Sequence, residues 1–164
     1  HRLTTLRRPD ASVIPLHFIR VDIAGNISKT FSATGIRFAR FSGTCARWTV
    51  HQAFLTPGTL CTQVSRVPDN RAYFCIARTV RQGERGYHKP GNVQAVGLGC
   101  SLEDAHAMVY ADGVALDNVQ AQVPIGTTCR LCERTQCEQR AMPSLRHPLV
   151  VDEDKRGPTL YSTN

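Results

Sequence analysis

Apolar and polar residues alternate along several short stretches of this chain, and a period of two predicts strands. In Leu16–Ile23, the residues His17, Ile19, Val21 and Ile23 share one face, and Leu16 and Phe18 share the other. Ala24-Gly25-Asn26 closes the run as a turn. Ile36–Phe41 and Arg47–Val50 are further strand candidates, separated by Ser42-Gly43-Thr44. Thr59–Val67 and Ala72–Arg81 read as a hairpin around Pro68-Asp69-Asn70, and Val93–Cys100 as another strand. The period changes at Ser101. Leu102, Ala105, Met108 and Val109 fall on one helical face, Ser101 and Asp104 have capping-box spacing, and Asp112-Gly113 ends the run. After Val114 there is little periodicity.

This order predicts an α+β fold with a mostly antiparallel sheet (a GAF- or PAS-like sheet is one form of it), few helices and an irregular Cys-rich C-terminal segment. The chain divides on this reading into a linker or arm at 1–14, a domain at 15–113, the Cys-rich segment at 114–145 and a solvated tail at 146–164. Its 164 residues suffice for one sizeable core. Opening on His1, it reads as a piece of a longer protein.

Charge is uneven. The net charge is +7, but residues 1–100 carry +10 and residues 101–164 carry −3. Such a field attracts nucleic acid, an anionic membrane or a polyphosphate ligand, although a merely soluble basic surface explains it equally well. No apolar run is long enough to span a bilayer, and no leader resembles a signal peptide, so no membrane partner is expected.

The seven cysteines change the picture most. An odd count argues against a secreted disulfide scaffold, and thiolates that bind metal must stay reduced, so a cytoplasmic protein is expected. Cys45, Cys61 and Cys75 lie in strand-like sequence and read as small buried hydrophobes. Cys129-x2-Cys132-x4-Cys137 is different: three thiols in a compact segment can chelate one centre and lack one ligand. Cys100 is the expected fourth. It follows Gly97-Leu98-Gly99 and precedes the helix at Ser101, whose N-terminus would favour a thiolate. His106 and His147 are weaker substitutes, and four free cysteines in a flexible segment is the plainer reading. The missing second C-x2-C knuckle favours an iron–sulfur cluster over zinc. Arg130, Arg134 and Arg140 surround the triplet and would suit either anionic centre.

No G-x-S-x-G, H-E-x-x-H, Walker or G-x-G-x-x-G motif is present, and Cys45 near His51 has no further support as a protease pair, so an enzyme is not expected. Arg78 falls on the apolar face of Ala72–Arg81. A buried arginine there would need a carboxylate or phosphate, and the plainer reading turns it outward. With Lys29, Arg37, Arg40 and Arg47 it is a candidate for the phosphates of one ligand, flanked by His51 and by Trp48, which stacks on a base or is core.

The run Phe18-Ile-Arg-Val-Asp-Ile-Ala-Gly-Asn-Ile-Ser-Lys29 with Ser32-Ala-Thr-Gly35, then Gly43-Thr-Cys45, Trp48 and Ala77-Arg-Thr-Val80, resembles the C-terminal region of actinobacterial short-chain fatty-acid and acyl-CoA regulators. Gly97-Leu-Gly-Cys100, Val109-Tyr-Ala-Asp-Gly113, Pro124-Ile-Gly126 and Cys129-Arg-Leu-Cys-Glu-Arg134 with Cys137 continue the resemblance, over roughly residues 15 to 145. It implies a regulator of acetate, propionate and glyoxylate metabolism with an XRE-type helix-turn-helix ahead of this module. It implies CoA or a short acyl-CoA as effector, a [4Fe–4S] cluster on Cys100, Cys129, Cys132 and Cys137, promoter DNA as partner of the full protein, and a homo-oligomer, dimer or tetramer. Glu138 stands where relatives often have proline, which removes no ligand. Two other classes stay open: a zinc-stabilised nucleic-acid-binding domain, and an iron–sulfur redox protein.

Overall fold

The computed structural model describes residues 13–39, 43–83, 86–88, 91–149, 154, 159 and 161. Arg40, nearly all of the expected arm and most of the expected tail lie outside the described residues.

The fold is α+β, built on one six-stranded sheet. Strands β1 (Leu16–Asp22), β2 (Ile27–Ser32), β3 (Cys61–Arg66), β4 (Ala72–Gln82), β5 (Asn92–Ser101) and β6 (Val123–Pro124) stand in the order β2-β1-β5-β4-β3-β6. All neighbours are antiparallel except the short β3–β6 pair. The expected alternation in β1 holds, with His17, Ile19 and Val21 buried on one side. The β3–β4 hairpin also holds. Its turn places Asn70 at φ 66, a left-handed conformation that asparagine tolerates.

The two faces of the sheet carry separate cores. Tyr73, Cys75 and Ala77 of β4 join Ile19, Val21, Ala95, Trp48, Val50, Cys45 and Ile125 on one face. Phe74 and Ile76 join Val64, Cys100, Ala105, Ala111 and Leu116 on the other. Each apolar side chain fully buried contributes about 1.5–3 kcal/mol, so both layers are needed for a domain of this size.

Three expectations are corrected. The run from Ile36 is irregular as far as Ala39: Ile36 is buried and Phe38 half-buried, so the alternation is real, but the segment covers a face rather than joining the ladder. Arg47–Val50 is not a strand either. Trp48 is extended, and Thr49–Gln52 forms a single helical turn, α1, which buries Thr49 and Val50. The long helix after Ser101 is instead two 3-10 segments, Leu102–Ala107 and Val109–Ala111, with extended Met108 between them. Ser101 ends β5 and its side chain caps nothing. The sequence carries the reason: Leu102, Ala105, Met108 and Ala111 recur at every third residue, the 3-10 period, while Val109 is exposed.

Candidate metal centre

Cys45 sits in a loop pinned at both ends. Before it, the Thr44 amide donates to the Gly25 carbonyl at 3.3 Å, and the Thr44 hydroxyl meets His51 Nε2 at 2.6 Å. After it, the buried Gln63 side chain of β3 accepts from the Thr49 amide and donates to the Arg47 carbonyl, each at 3.0 Å. Between these anchors the Trp48 amide donates to the Cys45 carbonyl at 3.1 Å. The loop conformation is therefore set by the turn between β1 and β2, by β3 and by α1 together.

The triplet arrives from the far edge of the sheet. β6 pairs with Ser65 and Arg66 of β3, the Ile125 amide donates to the Arg66 carbonyl at 2.9 Å, and Ile125 is buried beside Cys45's core. The chain then turns through Gly126 and Thr128 into a 3-10 turn at Cys129–Leu131.

These two deliveries meet. Cys45, Cys129, Cys132 and Cys137 line one small cavity together with Gly126, Arg47, Arg134 and Arg140. At Gly126 a Cβ would stand 3.0 Å from Cys132 Sγ, so glycine leaves the room this sulfur needs. Burial raises the Cys45 thiol above its ordinary value, while the Gly126 and Arg47 amides bond to it and oppose that rise; the Cys129 and Cys132 sulfurs add to it electrostatically.

Arg140 organises the loop. Its guanidinium is buried and donates to the carbonyls of Cys129 at 3.0 Å, Cys132 at 3.3 Å and Arg134. Arg140 Nε and Arg134 Nε are both buried, on side chains that line the cavity, without an acceptor among the described residues. Two buried Nε–H groups without an acceptor, on side chains that line a cavity with four sulfurs, fit an anionic group there, because a buried donor left unsatisfied is otherwise costly. The donor set fits a thiolate-bound centre. The thiols line the cavity without converging to a shell: among the described residues no three His, Cys, Asp or Glu side chains stand at coordinating geometry.

Cys100 is not among them. It lies on β5 opposite Leu16 and Phe74, fully buried in the core of the other sheet face. Burial pushes its thiol up to about 11, with Asp104 adding to the rise, the opposite of the expected helix-terminus effect. The glycines before it serve packing: a Cβ at Gly97 would lie 2.6 Å from Val50 Cγ1, and one at Gly99 2.5 Å from His17 Nε2. Cys75 is core as expected, its thiol pushed up to about 12 by burial, and Cys61 is half-buried on β3. His106 is exposed and His147 half-buried, and neither lines the cavity.

The candidate phosphate ligands disperse. Lys29 is exposed on edge strand β2, Arg37 lines a separate cleft, and Arg47 is half-buried at the thiol cavity. Arg78 is exposed: β4 runs past the apolar layer there, with no break in its pairing to β5. Trp48 is core, stacked on Phe38 at 5.7 Å, and half-buried His51 is held down by burial and bonded to Thr44.

The family described as short-chain fatty acyl coenzyme A regulator, C-terminal, matches residues 5–161. The HTH-type transcriptional regulator PrpR of Mycobacterium tuberculosis is 47% identical over 163 residues, covering 99% of this chain and 34% of that protein. RamB of the same organism, also an HTH-type transcriptional regulator, is 46% identical over 163 residues, covering 98% and 34%. The propionyl-CoA carboxylase regulator of Cereibacter sphaeroides is 47% identical over 157 residues, covering 96% and 34%. A solved chain described as a Mycobacterium tuberculosis transcriptional regulator has a TM-score of 0.83 at 47% identity, covering 98% of this chain and 49% of that one. The chain thus spans about a third of the length of its curated relatives.

Proposed function

The chain belongs to the short-chain fatty acyl coenzyme A regulators, as their C-terminal region, and on that premise we propose that it is the regulatory module of a transcription factor for short-chain acyl-CoA metabolism, holding one metal centre on Cys45, Cys129, Cys132 and Cys137. The centre is a [4Fe–4S] cluster in this reading. The observation that carries it is the meeting of four thiols with two buried guanidinium Nε–H groups that have no acceptor among the described residues. A cluster supplies an anionic, redox-capable body to that cavity. Arg140 holds the loop carbonyls, Gly126 leaves space for Cys132, and the amides of Gly126 and Arg47 stabilise the Cys45 thiolate.

The relatives' names support transcriptional regulation through a helix-turn-helix and a link to propionyl-CoA metabolism; the effector, the oligomer and the compartment are this reading's own extension. The full protein would bind promoter DNA through a helix-turn-helix, as a homo-oligomer in the cytoplasm, with CoA or a short acyl-CoA as effector of the acetate, propionate and glyoxylate genes. Effector binding would shift the population of the DNA-binding arrangement. No described helix is long and apolar enough to cross a membrane.

One observation favours zinc as a second reading. The cavity measures about 10 Å³, the room of a single water, so one ion enters with little movement, while a four-iron cube needs the triplet to spread. Iron and sulfide analysis of oxygen-free protein decides. Iron with equal sulfide supports the cluster; one zinc without sulfide supports the second reading; neither metal overturns both. Calorimetry with CoA, acetyl-CoA and propionyl-CoA tests the effector, and no heat from any of them overturns that part.

A further inference from the structure

Cys132 lines a second and larger cleft, of about 820 Å³. That size is within the range of small-molecule sites. Phe38, Leu131, Met142 and Leu145 supply apolar walls, and Arg37 and Arg130 supply charge; among the described residues no acid lines it. Leu131 and Leu145 stand 56% and 69% exposed, so the apolar wall they form is open to a ligand. Neither arginine has a salt bridge among the described residues, where the ion pairs are Arg71–Asp69 and Arg146–Glu133. Two guanidinium groups lining an apolar cleft, with no acid partner among the described residues, suit a carboxylate head on an aliphatic tail.

The cleft shares a wall with the thiol cavity. Thr127, Thr128, Arg130, Leu131 and Cys132 belong to the cysteine loop, and the Leu145 amide closes it back by donating to the Arg130 carbonyl at 2.8 Å. We propose that this cleft binds an amphipathic organic anion, and that the metal centre tightens binding by fixing the shared wall. The second half rests on the metal-centre reading; the first stands on the cleft alone.

The protein carries its own probe. Phe38 lines the cleft and stacks on Trp48, the only tryptophan, at 5.7 Å and 16°. The experiment titrates decanoate into the full chain, below its aggregation range, reading Trp48 fluorescence and calorimetric heat. Decanol supplies the same tail without charge. Saturable binding of decanoate, about tenfold tighter than decanol, is expected, and Arg37→Ala with Arg130→Ala should abolish the difference. Both arginines are exposed, so that variant should fold. Unsaturable binding, equal affinity for decanol, or an unaffected double variant overturns the site. Repeating the titration on chelator-treated protein, with metal measured on the same sample, should weaken decanoate several-fold; equal affinity overturns the linkage. Protein that never holds metal defeats the metal-centre reading, and the decanoate arms still decide the cleft.

Discussion

Single side chains show where sequence patterns succeed and where they mislead. The C-x2-C-x4-C triplet was legible because spacing alone brings its thiols near each other. The fourth thiol that lines the cavity with it was not, because it comes from 84 residues upstream of Cys129, and adjacency there is made by the sheet. A signal did exist. Leu98 and Cys100 share one face of an alternating strand, which marks Cys100 as strand core, whereas Cys45, buried too, sits in a Gly-Thr-Cys loop between elements, where binding residues concentrate. His17 makes a separate prediction. It is buried against Tyr73 and Phe38, bonds Thr34 at 3.0 Å, and burial lowers it from 6.5 to about 4. The folded chain binds fewer protons than the unfolded one in that window. Stability therefore rises with pH between about 4 and 6.5 and is lost on acidification, by at most ~3 kcal/mol. His17→Gln should flatten the pH dependence of the denaturation midpoint, leaving the smaller slope that His51, shifted the same way, contributes. An unchanged slope would contradict the assignment. Arg140→Ala should leave three loop carbonyls without their donor at ~1–3 kcal/mol, seen as faster amide exchange across 129–134 with the sheet unaffected.

Among the elements, β1, β3, β4 and β5 were legible because a period of two with one buried face has few other solutions, whereas exposed β2 and two-residue β6 carry no such pattern and two other alternating runs are not strands. The helix was misread because four apolar positions three apart satisfy a 3.6-residue stripe nearly as well as a 3-10 one. Length decided little, since extended Met108 divides the run. The packing of α1 on the sheet tests the account at this scale. Val50 occupies the space over Gly97 that a Cβ would fill. Gly97→Ala should cost ~1–3 kcal/mol in thermal unfolding, and adding Val50→Ala should recover part of it. Additive losses would mean that the two do not share a contact.

Across the whole molecule, one sheet divides the interior into two cores, and the cysteine segment belongs to the face that carries Cys45. Ile125 and β6 tie that segment to β3, but beyond Gly126 it has little regular structure of its own. A metal bound by four thiolates would supply folding energy for it. Stripping the metal should raise amide exchange across 126–146 while β4 and β5 keep their protection, because their ladder and both cores lie outside the loop. Global unfolding on metal removal would contradict this division.

Parallel metal determination on Cys45→Ser and Cys100→Ser, purified without oxygen, tests the central claim most directly. The account predicts that Cys45→Ser loses most of the bound metal while Cys100→Ser, once folded, retains it. Full metal in Cys45→Ser, or its loss from folded Cys100→Ser, would contradict it.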